Sequence, residues 1–245
     1  MPRFHIPHPV FDDELLKIEG TEVRHIRRVL RLRAGDEIAV FDGSEREYKG
    51  TIVEEGPHTV IVKVQSVTPS KRESPLEVTL AQSLLKGEKM DYFIQKATEL
   101  GVKKIIPFFS RRSVPLLEKS NRLKRYHRWE RIAIEASKQC GRGRIPEILP
   151  LQDFSEMLLM AFSESLRLIL WEKEKKRLKE VLKGWGGRKE IFFIVGPEGG
   201  FSQNEVEEAQ KKGFISVSMG ERILRAETAS LSLLSILQYE QGDIG

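Results

Sequence analysis

Two glycine-bearing segments in the last third of the chain combine tight turns with carboxylates and guanidiniums, a mixture suited to enclosing a small ligand. Gly196-Pro197-Glu198-Gly199-Gly200-Phe201-Ser202 follows the apolar run Ile191–Val195, and Gly220-Glu221-Arg222-Ile223-Leu224-Arg225-Ala226-Glu227-Thr228 follows Phe214–Met219. A fully apolar run of this length reads as a buried strand, and glycines after it let backbone atoms approach a ligand closely. Neither segment ends in the Gly-Lys-Ser/Thr that holds a triphosphate and magnesium, and no Gly-x-Gly-x-x-Gly occurs. The ligand should therefore need no phosphate cradle. His5, His8, His25, His58 and His127 are scattered, without Cys-x-x-Cys or His-Glu-x-x-His spacing, so no metal is expected. Cys140 is the sole candidate for a thiol nucleophile; late in an expected helix beside Arg142 and Arg144, it reads as a packing residue.

Periodicity supplies the elements that hold these segments. Ser202 and Glu205 form a capping box opening a helix to about Lys212. Phe214–Met219 alternates as a short strand, and Ala229–Tyr239 is an apolar helix. Two tandem strand-loop-helix units thus aim at one crevice, outside the carboxyl ends of the strands of an α/β sheet. Upstream, Leu76–Gln82 reads as a strand, Met90–Leu100 as a helix stopped by Gly101, and Lys104–Phe109 as the next strand of a βαβ unit. Asn121–Gln139 and Phe154–Phe162 read as helices, and Leu166–Trp171 as an apolar strand leading to Glu172. Nearer the start the period changes. Val23, Ile26 and Leu30 share one helical face, then Glu37–Phe41, an Asp42-Gly43 turn, Tyr48–Glu54 and Thr59–Val67 read as strands of a small β-barrel. Thr68–Pro75, with two prolines and no apolar residue but those, is the expected linker.

The segments GPEGGFS and MGERILRAETA resemble the ribosomal RNA small subunit methyltransferase E family, of the SPOUT class. So do the Arg3-Phe4 start, His25–Leu32 with Gly35-Asp36, Lys96-Ala97-Thr98-Glu99-Leu100-Gly101 and the Arg-rich helix before Cys140. The resemblance implies S-adenosylmethionine-dependent N3-methylation of one uridine in the decoding region of 16S rRNA, acting in ribosome maturation. It also implies an α/β protein with a PUA-like RNA-binding β-barrel over residues 1–70 and a SPOUT domain over 75–245. A C-terminal trefoil knot at about 166–240 is part of that implied fold; periodicity does not reveal it, and the general rule that chains avoid knots argues against it. The family pattern places the cofactor among Leu170, Trp171 and Glu172; Gly196, Pro197, Glu198, Gly199 and Gly200; and Met219, Gly220, Ile223, Leu224, Thr228 and Ala229. Trp171 departs from the smaller residue usual there.

Methyl transfer from a sulfonium is an in-line displacement with a good leaving group, so positioning and desolvation supply much of the acceleration. Uracil N3 carries a weakly acidic proton, and removing it or lowering its pKa creates the nucleophile. The catalytic candidates are Arg225, Arg3 and Glu227. Arg225 would orient or polarise the base, with Arg3 or a nearby basic residue of a partner subunit assisting; the competing reading of Arg225 is a structural salt bridge to Glu227. For Glu198, fixing the glycine loop by accepting backbone N–H bonds is favoured over facing the substrate.

Net charge is +5, but eleven basic residues face three acidic ones between Arg111 and Arg144, a local surplus of eight. Arg111, Arg112, Arg125, Arg128, Arg142 and Arg144, interleaved with Tyr126, His127 and Trp129, are the expected phosphate contacts of an RNA partner. Arg24, Arg27, Arg28 and Arg31 form a second such cluster, in a stretch whose total charge nearly cancels. No run approaches the roughly 20 apolar residues of a membrane span, the N-terminus lacks a secretory pattern, and one cysteine suits a reducing cytoplasm. Leu231, Leu233, Leu234, Ile236 and Leu237 make the last helix apolar on more than one face, which a homodimer or deep burial would cover. Two other functions stay open: a ribose 2′-O-methyltransferase, which normally carries a Ser-Leu-Asn type motif where this chain has Arg225–Ala229, and a non-catalytic RNA-binding assembly factor.

Overall fold

Alternation along residues 37–69 does produce the first sheet. In the computed structural model, which describes residues 1–113, 119–162, 164–187 and 189–245, its strands are β1 (Arg3–His5), β2 (Val10–Asp12), β3 (Leu15–Glu19), β4 (Glu37–Phe41), β5 (Arg46–Glu55) and β6 (Thr59–Pro69). They lie in the order β1-β4-β5-β6-β3-β2, antiparallel except for β1 on β4. Inward-facing Phe4, Leu16, Ile18, Ile38, Val40, Ile52, Val60 and Val62 form its core. The register of β5 on β6 shifts at Gly50, where a Cβ would fall 2.3 Å from the Lys63 carbonyl oxygen, so only glycine fits the bulge. Helix α1 (Thr21–Arg24) runs into a π-turn over His25–Val29 and buries Val23 and Ile26 against this core. Leu30, expected on the same face, is 42% exposed. The wider turn, closed by Leu30 N–H on the His25 carbonyl, rotates it out of the apolar stripe.

This first compact unit comprises Met1–Glu73 together with Ile134–Ile145, the latter from the end of the helix Lys119–Cys140 and the turn after it. Polar bonds fasten that returning piece. Arg3 donates to the Ser137 carbonyl at 3.1 Å, the Arg142 carbonyl at 3.1 Å and Glu47 at 3.0 Å, bridging the last turn of the helix and the segment after it. Glu73 accepts from the Arg142 guanidinium at 2.9 Å and from the backbone N–H groups of Gly143 and Arg144 at 2.9 Å each. The expected linker is thus partly structural: Thr68 and Pro69 complete β6, and Ser70 and Glu73 hold the 143–144 turn.

The second unit, Ser74–Ala133 with Pro146–Gly245, is an α/β sheet in which every strand pair is parallel. Its strands are β7 (Glu77–Ser83), β8 (Lys104–Phe109), β9 (Glu147–Ile148), β10 (Gln152–Asp153), β11 (Leu166–Leu170), β12 (Glu190–Val195) and β13 (Ile215–Val217), in the order β10-β8-β7-β12-β11-β13 with β9 also on β8. The helices are α2 (Lys89–Glu99), α3 (Lys119–Cys140, whose end belongs to the first unit), α4 (Phe154–Leu158), α5 (Leu178–Lys183), α6 (Gln203–Lys211) and α7 (Ala226–Gln241). Strands buried on both faces explain the unbroken apolar runs: Ile191–Val195 is buried throughout. The helix expected over Phe154–Phe162 stops at Leu158, because Leu159 and Met160 tighten into bonds to the carbonyls three residues back. In α7, Leu233, Leu234 and Leu237 are fully buried within the unit, while Leu231 and Ile236 remain half-buried. Among the described residues no helix is long and apolar enough to cross a membrane.

Candidate active site

Because β11, β12 and β13 are neighbours and parallel, the loops leaving their carboxyl ends open onto the same space. They enclose a cavity of about 400 Å³. Of the cofactor residues expected from sequence, Leu170, Trp171, Glu172, Gly196, Pro197, Glu198, Gly199, Gly200, Met219, Gly220, Ile223, Leu224 and Ala229 line it; Thr228 does not. Val217, Ser218, Glu221 and Arg222 line it as well; Glu221 and Arg222 belong to the second glycine-bearing segment, whereas Val217 and Ser218 carry no motif of their own. Gly200 sits at φ 66°, and a Cβ there would lie 2.9 Å from Glu172 Oε1, so this turn needs glycine for its backbone and for its neighbour. Trp171 donates its backbone N–H to the Val217 carbonyl and packs on the core, while its indole Nε1 is buried without a hydrogen-bond partner.

Buried polar side chains hold the loops in register. Gln82, fully buried at the end of β7, accepts from the Ser230 hydroxyl of α7 and donates to the Gly196 carbonyl at 3.4 Å. One amide therefore ties the glycine loop to the last helix, a role that a lone Gln in an apolar strand does not advertise. Glu205, 2% exposed, completes the expected capping box with Ser202 and also accepts the Arg111 N–H at 2.9 Å. Truncating Glu205 to alanine strands those buried donors and should destabilise the second unit by about 2–4 kcal/mol. Urea unfolding checks this, and a loss below about 0.5 kcal/mol would refute it.

The Glu198 carboxylate accepts the Lys86 N–H at 3.4 Å and pairs with Lys89 at 3.3 Å, while the residue also lines the cavity. Lys89 also reaches Glu227 at 3.5 Å, joining the glycine loop to the start of α7. Burial alone would raise the Glu198 pKa; its own backbone N–H, the Lys86 N–H and Lys89 outweigh that and hold it below the ordinary carboxylate value. A depressed folded value means stability present above the unfolded pKa and lost as pH falls through the folded one. Glu198→Gln should therefore flatten the acid side of the stability-pH curve; an unchanged acid limb would contradict the assignment.

Arg225 is exposed, lines the cavity at the N-cap position of α7, and makes no ion pair among the described residues. The alternative salt bridge to Glu227 is not formed, since Glu227 is turned to Lys89, with its second carboxylate oxygen buried and unpartnered. Arg3 lies in the other unit, its side chain 11% exposed and committed to backbone carbonyls and Glu47.

The expected RNA contacts divide by exposure. Arg24, Arg28, Arg31, Arg111 and Arg112 are exposed, and Arg112 donates to the Gly199 carbonyl at 2.9 Å. Arg125 is half-buried, and Arg128, though exposed, pairs with Asp91 at 2.6 Å. Arg27 pairs with Glu55, and Arg144 with Glu45. Arg142 does not suit an external phosphate: it is 4% exposed and held by Glu73. Glu118 of the same basic run lies outside the described residues. Cys140 is half-buried, donating weakly to the Ser137 carbonyl, as a packing residue would. Among the described residues no group of three or more His, Cys, Asp or Glu could hold a metal ion.

A ligand cavity at the carboxyl edge of a parallel sheet, in a chain that also carries a separate small β unit, describes a class with known members. Residues 72–238 match the RNA methyltransferase domain family, and residues 18–65 match the RNA methyltransferase PUA domain family. The ribosomal RNA small subunit methyltransferase E of Bacillus subtilis is 32% identical over 228 residues, covering 91% of this chain and 89% of that protein. Its counterpart from Aquifex aeolicus is 34% identical, covering 91% and 93%. The crystal structure of the Neisseria gonorrhoeae enzyme of the same name, bound to S-adenosyl methionine, superposes with a TM-score of 0.91 at 34% identity over 100% of both chains. The chain thus belongs to the ribosomal RNA small subunit methyltransferase E family.

Proposed function

We propose that the protein methylates N3 of a uridine in the decoding region of 16S rRNA, using S-adenosylmethionine, during ribosome maturation in the cytoplasm. The observation that carries this is the convergence of the three loops on one cavity, in a chain so similar to a relative crystallised with that cofactor. The cavity's size falls in the ordinary range for a small ligand. Its lining fits a nucleoside sulfonium: apolar Leu170, Met219 and Leu224, glycine backbone for close approach, and carboxylates but no phosphate cradle. The buried indole N–H of Trp171 also awaits an acceptor.

When bound, the cofactor supplies an electrophilic methyl group on sulfur. Arg225 would hold the uracil from the cavity mouth and stabilise negative charge on the imide; N3 would give up its proton to solvent and take the methyl group as the methyl–sulfur bond breaks, the sulfonium leaving as a neutral thioether. Glu198, Lys89 and Glu227 position the loops rather than react, and so does Arg3 within its own unit. The trefoil knot belongs to the same proposal; β13 lies beyond β11 at the sheet edge, whereas the following α7 packs on α2 and β12. So does a homodimer, which would cover Ile223, 85% exposed, and the half-buried outer face of α7.

The test is product analysis after incubating the protein with radiolabelled S-adenosylmethionine and small ribosomal subunits. Label in 3-methyluridine supports the reading; label on ribose, or none, overturns it.

A further inference from the structure

We propose that residues 28–31 form an apolar wedge, Val29 and Leu30 flanked by Arg28 and Arg31, that inserts between stacked nucleotides of the RNA substrate. This rests on the RNA methyltransferase reading and adds how the first unit grips its substrate.

Val29 is 64% exposed and Leu30 42%, only a few residues after Val23 and Ile26, which are buried in the core. The protrusion is rigidly built. Leu30 N–H bonds the His25 carbonyl at 3.0 Å, Leu32 N–H bonds the Ile26 carbonyl at 3.0 Å, and the His25 ring packs edge-on against buried Phe4. Arg31 adopts φ 57°, a left-handed conformation unfavourable for a non-glycine residue, and such strain together with a π-turn is typical of functional segments. Glu55 clamps both feet of the loop, pairing with Arg27 at 3.6 Å and accepting from Arg33 at 3.1 Å, one residue outside the wedge and two beyond it.

That clamp divides the arginines by role. Arg27 and Arg33 are paired, whereas Arg24, Arg28 and Arg31 are exposed and make no ion pair among the described residues. Two aliphatic side chains ringed by uncompensated guanidiniums suit a partner that is both polyanionic and layered with apolar faces. Nucleic acids meet both demands, and apolar wedges beside arginines are a known way to open a base step.

The test uses the full chain and an end-labelled decoding-region fragment of small-subunit rRNA, with 2-aminopurine replacing single adenines. Arg28→Ala/Arg31→Ala should weaken binding and lower the slope of log affinity against log salt by about 1.5, near 0.7–0.9 per phosphate lost. Val29→Ser/Leu30→Ser should keep the wild-type slope, bind about tenfold or more weakly, and lose the 2-aminopurine fluorescence rise that marks unstacking. Binding within about twofold of wild type and an unaltered fluorescence rise in the serine pair would overturn the wedge. So would a defect seen only with protein-containing subunits and absent on naked RNA, which would make the surface a protein dock. Failure of the wild type to bind S-adenosylmethionine by calorimetry would instead overturn the functional reading. Unchanged circular dichroism confirms that both variants fold.

Discussion

Replacing Arg225 with alanine is expected to lower kcat for methyl transfer by about 100- to 1000-fold, the range for removing one preorganised charge from a developing anion. Affinity for S-adenosylmethionine should stay within about threefold, because the proposed mechanism has Arg225 act on the acceptor base and leaves the donor to backbone groups of the loops. The geometry makes the prediction sharp. Arg225 has no carboxylate partner among the described residues, so nothing structural is lost with its charge, and Ala229 still donates to the backbone carbonyl of residue 225. Arg225→Lys should recover part of the rate, since a point charge replaces a planar fork. Wild-type turnover in the alanine variant, measured at saturating cofactor, would remove Arg225 from the mechanism.

Glu73→Ala is expected to destabilise the first unit by about 3–5 kcal/mol, as breaking a buried ion pair from one side does. The Arg142 and Glu73 side chains are only 5% and 11% exposed. Losing the carboxylate takes the counter-charge from a buried guanidinium and the acceptor from two backbone N–H groups, Gly143 and Arg144. Hydrogen exchange should report it first at residues 134–145, with faster exchange than in the rest of the chain. A urea-derived loss under about 1 kcal/mol would show that the turn is held by something else.

Neither of these residues is equally visible before folding. Arg225 sits in a motif with a glycine strand-end before it and an apolar helix after it, so its place at the ligand cavity can be read from order alone. The strands of the second sheet are readable for the same reason, since burial on both faces leaves long apolar runs. Helix starts are less so. α7 begins at Ala226 behind an Arg N-cap with no side-chain bond, and α5 behind Arg177 likewise, so no Ser, Thr or Asp marks either boundary. The short strands β1, β2, β9 and β10 carry two or three residues each, too few to establish a period. Long-range polar ties are the least visible. Gln82 meets Ser230 across 148 positions and Glu73 meets Gly143 across 70, and neither residue type signals its partner. Charge counting found the basic run but could not separate Arg142, buried on Glu73, from exposed Arg111 and Arg112.

The first unit borrows Ile134–Ile145 from a helix that begins in the second, and its own strands end at Pro69. A gene fragment stopping at Glu73 would therefore encode a sheet whose Arg3 and Glu73 face missing partners, and whose solubility alone should be poor. Exchange of this module between proteins by one recombination breakpoint is correspondingly disfavoured. Swapping it intact requires three cuts in the coding sequence, one after Glu73, one inside the long helix before Ile134 and one after Ile145, so the two halves should descend together as one heritable block.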